Sequence, residues 1–132
     1  MPLKTRPSFL RWPIMLVLVG LAACGDDPVP GPGTLTASVV SPNGDEGAAV
    51  LLLLGDGIGS VASFGDTEAH AQLVPSESRA RVVLINESGG TLTFELQVAN
   101  VLDPPTWVVE EVAGPDDALR ADLDAYRVEF AR

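Results

Sequence analysis

His70 is the only imidazole in the chain, so any hydroxyl nucleophile activated by a histidine base would have to be built around it. Its setting argues against that role. In Glu68-Ala69-His70-Ala71-Gln72-Leu73-Val74 the apolar Ala69, Ala71 and Leu73 alternate with Glu68, His70 and Gln72, which places the imidazole on the polar face of a strand. Gly57-Ile58-Gly59-Ser60 lacks the Gly-x-Ser-x-Gly pattern of a nucleophile elbow. Gly55-Asp56-Gly57-Ile58-Gly59 lacks the Lys-Ser/Thr ending of a phosphate loop, and Asp56 would repel a phosphate. Eighteen acidic residues offer many chance pairs, so paired carboxylates carry no glycosidase signal. Zinc wants several His or Cys ligands, and the chain has one of each. Calcium takes clustered oxygens, for which Asp116, Asp117, Asp122 and Asp124 are the nearest candidates, without the spacing of an EF-hand loop. Asp45-Glu46, and Asp56 with Asp66, are looser still. Trp107, just after Pro104-Pro105, could stack on a sugar or anchor a partner, or simply pack in a core. The expectation is a protein that is not an enzyme and carries no cofactor.

The remaining reactive side chain is Cys24, the sole cysteine, which follows Leu21-Ala22-Ala23. Upstream, Lys4, Arg6 and Arg11 form a basic stretch, and Trp12 to Leu21 is apolar apart from Pro13 and Gly20. Basic, apolar and small-residue segments in that order are the three parts of a secretory signal. The apolar run is shorter than the ~20 residues a membrane-crossing helix needs. Leu21-Ala22-Ala23-Cys24 resembles the lipobox of bacterial lipoproteins. That resemblance implies removal of residues 1–23 and acylation of Cys24, which then carries two or three fatty chains. One chain binds a membrane only weakly, so several make a firm anchor. The resemblance also implies the enteric sorting pattern, in which Asp after the cysteine favours the inner membrane; Gly25 stands there instead, which tilts the expected location toward the outer membrane of a cell that has one.

Charge then excludes one class of partner. Lys4, Arg6 and Arg11 all precede Cys24, leaving five arginines against eighteen acids beyond it, a net charge of −13. Nucleic acid binding needs a basic footprint, and this surface would repel phosphates. The partners expected are the membrane, through the N-terminal lipid, and an envelope protein. With one cysteine, the exported part must fold without an internal disulfide.

The elements that position these residues read as strands. Residues 24–33 contain Asp-Asp-Pro-Val-Pro-Gly-Pro-Gly and form an extended tether. Residues 34–132 are long enough for a single core. Strands are expected at 35–40, 48–54, 58–64 (with a bulge at Gly59), 68–74, 79–86, 91–99, 106–112 and 126–130. Ala48 to Leu54 is apolar throughout, as in a strand covered on both faces or near a sheet centre. Leu92, Phe94, Leu96 and Val98 alternate with Thr91, Thr93, Glu95 and Gln97, and Tyr126, Val128 and Phe130 are expected to point inward. Asn43-Gly44, Gly55-Asp56-Gly57, Glu87-Ser88-Gly89-Gly90 and Asp103-Pro104-Pro105 are turn signals. Residues 116–125, with Pro115 ahead and Ala118, Leu119, Ala121 and Leu123 within, could form one short helix near 116–123 or a loop. The fold class is all-β, an antiparallel β-sandwich of about seven to nine short strands.

Gly47-Ala48-Ala49-Val50-Leu51 and Gly89-Gly90-Thr91-Leu92-Thr93-Phe94-Glu95-Leu96-Gln97-Val98 are similar to the early Gly-Ala-rich and later post-glycine strands of cohesin-like and related immunoglobulin-like domains of bacterial surfaces. The resemblance spans about residues 34–131 and implies a sandwich with an adhesive or scaffolding role. The functional expectation is therefore a lipid-anchored envelope protein that displays a non-catalytic β-sandwich. The alternatives are a carbohydrate- or calcium-binding module and, further off, a hydrolase.

Overall fold

The structure, a computed structural model, describes residues 29–132. Eight strands make two antiparallel sheets: β1 (Gly33–Val40), β2 (Glu46–Leu54), β3 (Ile58–Ser63), β4 (Glu68–Val74), β5 (Arg79–Gly90), β6 (Thr93–Val98), β7 (Thr106–Ala113) and β8 (Arg127–Ala131). The first sheet runs β3-β6-β1-β8 and the second β4-β5-β2-β7. Four nested pairs, β1·β8, β2·β7, β3·β6 and β4·β5, arise as strands 5–8 return along strands 1–4; β1·β6 and β2·β5 join them into sheets. The expected β-sandwich is the fold observed.

The period-two pattern explains the core. Leu35, Ala37 and Val39 of β1, Phe94, Leu96 and Val98 of β6, and Val128 of β8 turn inward from the first sheet. Ala49, Leu51 and Leu53 of β2, Ala80, Val82 and Leu84 of β5, and Val112 of β7 meet them from the second. Alternate residues of the first sheet, among them Thr36, Thr93, Glu95 and Gln97, form a polar outer face. The second sheet differs, because Val50, Leu52 and Leu54 leave its outer face apolar and only half-buried. The continuous run read as covered on both faces or near a sheet centre is therefore a central strand, with the core on one side only.

Three local readings are corrected. Residues 116–123 are not helical. Leu119 and Leu123, four residues apart, would share one face of a helix, yet Leu123 packs against the core while Leu119 is 72 % exposed. Asp117 takes φ +64°, Leu119 bridges to Ala113, and the Arg120 N–H donates to Val112 O at 2.8 Å, so the segment lies along β7 instead. The helical turn that does form is a 3₁₀ segment, Pro75–Glu77, closed by Ser78 in the left-handed region. Glu87 to Gly90 does not end its strand. Those residues belong to β5, which bulges: Ile85 pairs with Ala48 and Gly90 with Glu46, leaving residues 86–89 against Gly47 alone. Near Gly59 the β3·β6 register also shifts, as expected for a bulge. Finally, the last residues of the tether are docked, with Val101 N–H donating to Gly31 O at 2.9 Å.

Candidate functional site

The densest polar constellation among the described residues surrounds Glu46, which is 2 % exposed at the start of β2. The β1–β2 turn contributes Ser41 and Asn43. The 114–126 loop contributes Arg120 and, at the entry to β8, Tyr126. Ser41 Oγ and Tyr126 OH each donate to Glu46 Oε1 at 2.6 Å, and Arg120 Nε donates to Oε2 at 3.1 Å. Asn43 Nδ2 donates to Tyr126 OH at 2.8 Å, and Ser41 Oγ accepts from Asn43 N at 3.0 Å. The hydrogen bond to Glu46 is the main cause holding the Arg120 guanidinium above its ordinary pKa; its own desolvation opposes this.

A buried carboxylate is costly unless its oxygens are fully hydrogen-bonded. Here both oxygens accept, and no buried side-chain polar atom of the described residues lacks a partner. The arrangement holds the carboxylate in one place, buried and with both oxygens engaged. Its chemical work is to tie two loops to the end of β2.

Glu46 entered the sequence reading only as part of a loose acidic pair. Its burial depends on Arg120 and Tyr126, 74 and 80 residues away, so no local pattern reveals it. A weak signal existed: Arg120 is one of five arginines after Cys24, and it sits in a run otherwise rich in Asp.

The other candidates are dispersed. Trp107 lies in β7 opposite Leu53, half-buried against the core, while its neighbour Val108 points outward. His70 is exposed on β4 opposite Val83. Asp116 and Asp122 each accept from a backbone N–H two residues on, at 3.3 and 2.9 Å, so both shape their own turns. Asp116, Asp117, Asp122 and Asp124 do not converge, and among the described residues no three His, Cys, Asp or Glu side chains group to hold a metal. Asp56 accepts from Ser78 Oγ beside the Gly55–Gly57 turn. The recesses are shallow; one of about 230 Å³ is lined by Leu52, Gln72, Val74, Arg79, Arg81 and Glu110 on the outer face of the second sheet. Cys24 lies outside the described residues, among which no helix is long and apolar enough to cross a membrane. Compared with known protein families, curated proteins and solved structures, the chain matches none.

Proposed function

We propose that this chain is a lipid-anchored protein of a bacterial envelope that displays a non-catalytic β-sandwich for contact with other proteins or for envelope structure. The observation that carries the reading is Leu21-Ala22-Ala23-Cys24, placed after a basic segment and a short apolar run. The order of the parts supports it. A folded sandwich whose first docked residue is Gly31 follows Cys24 after a short stretch rich in Pro and Gly, which suits a domain held just off a membrane. Its acidic surface repels anionic headgroups, so the lipid holds the protein while the domain stands clear. A catalytic role gains nothing from His70 on a flat strand or from Glu46 with its oxygens engaged. A sugar- or calcium-binding role gains nothing from a half-buried Trp107 or from dispersed aspartates.

Fractionation of a bacterial host expressing the full chain tests the anchor. The wild type is expected in the membrane fraction, released by detergent and not by salt, and Cys24→Ala in the soluble fraction. A wild type that partitions with the soluble proteins would overturn the proposal.

A further inference from the structure

Strand direction gives the sandwich two unlike poles. β1 starts at Gly33 beside Val98 of β6, and β2 ends at Leu54 beside Arg79 and Thr106. One pole therefore gathers the 55–57 turn, the 75–78 segment and the 99–105 loop. The other gathers the 41–45 and 64–67 turns, the end of β5 and the 114–126 loop.

The chain enters the domain at the first of these poles and is fastened there. Gly31 N–H donates to Asn100 Oδ1 at 3.4 Å, and Gly31 O accepts from Val101 N–H at 2.9 Å. A Cβ on Gly33 would stand 2.7 Å from Val101 Cγ1, so β1 begins directly against the 99–105 loop. We propose that the sandwich stands on the membrane by this pole and presents the opposite pole outward. The inference rests on acylation of Cys24.

Chain length supports this orientation. The seven residues from Cys24 to Gly31 reach at most ~25 Å when fully extended. The eight residues of β1, at ~3.4 Å each, make the sandwich about as long. For the far pole to touch the bilayer, the whole spacer would have to run back along the domain. Charge acts in the same direction. Seven exposed acids, among them Asp45, Asp66 and Asp116, lie at the far pole, where Arg120 is engaged by Glu46. At the near pole Asp56, Glu77 and Asp103 are offset by Arg79 and Arg132. Repulsion by anionic headgroups fades over ~10 Å, so it is least when the far pole points away. A domain lying on its side would bring both poles to headgroup level. The surface left for an envelope partner is also a prepared one. The 41–45 turn and the 114–126 loop are the two that Glu46 ties together, so they are held in one arrangement before any partner arrives.

Energy transfer to headgroups tests the orientation. Leu102→Cys marks the near pole, Asp45→Cys the far pole and Val108→Cys the outer face of the second sheet, all exposed positions. Each variant is purified from bacterial membranes and its acylation checked by intact mass. With the Cys24 sulfur joined to lipid, the new thiol is the only one and takes the fluorophore. The protein is then placed in phosphatidylethanolamine–phosphatidylglycerol vesicles whose headgroups carry the acceptor. Cooperative thermal unfolding like that of the wild type confirms that each variant is folded. Transfer is expected to fall in the order Leu102, Val108, Asp45, by about twofold or more from first to last, since the poles stand ~25 Å apart. Equal transfer from all three would mean a domain that tumbles on its spacer, and would overturn the orientation. Strongest transfer from Val108 would overturn it too, by laying the second sheet on the bilayer. Both results leave the anchor intact, whereas a chain without acyl groups overturns anchor and orientation together.

Discussion

Tyr126 shows how one side chain joins two loops that are distant in sequence. Its ring is buried in the sandwich and its hydroxyl donates to Glu46 while accepting from Asn43. Tyr126→Phe keeps the ring and removes a charge-assisted bond to a buried carboxylate. The expected loss is about 1.5–3 kcal/mol in denaturant unfolding; a change within about 0.5 kcal/mol, the range of an ordinary surface substitution, would show that the cluster does not hold the loops. Two glycines make a second contrast at the same scale. Gly44 and Gly57 both have positive φ, +83° and +78°, but a Cβ on Gly44 meets open space, whereas one on Gly57 would stand 2.6 Å from Ala99 Cβ. Gly44→Ala should cost only the left-handed strain, about 1–2 kcal/mol, and Gly57→Ala clearly more. Equal melting temperatures for the two variants would contradict the placement of the β2–β3 turn against Ala99.

Among the elements, β2 is decisive because it is central in its sheet and apolar on both faces. Leu51 is fully buried between the sheets and Leu52, one residue on, faces outward. Leu51→Ala should therefore cost about 2–5 kcal/mol, and Leu52→Ala less than about 1.5 kcal/mol. A reversed order, read from urea midpoints of the two variants, would mean that the strand is slipped by one residue. The alternation of Leu92, Phe94, Leu96 and Val98 made β6 readable from residue types alone, because burial on one face imposes the period directly. The same logic could not tell which side of β2 the core takes, since Ala48 to Leu54 has no polar face to mark the outside. Glu87 to Gly90 misled for a related reason: glycines at φ +74° and +156° serve a bulge inside a strand as well as a turn between strands. Helical propensity around Ala118 and Leu119 lost to the pull of Arg120 toward Glu46, a contact spanning 74 residues. Sheet order and the Glu46 cluster were equally out of reach, because both are made by long-range pairing.

At the scale of the whole molecule, the proposed lipid anchor at Cys24 is followed by a short Pro- and Gly-rich spacer and a sandwich whose two outer faces differ in character. The polar face of the first sheet is suited to water, and the apolar face of the second to contact. The central claim is the lipid on Cys24, and the intact mass of protein purified from bacterial membranes tests it most directly. A chain beginning at Cys24 with the added mass of two or three fatty acyl chains is expected, and no such species from Cys24→Ala. An unmodified chain, whether it retains residues 1–23 or begins elsewhere, would contradict it.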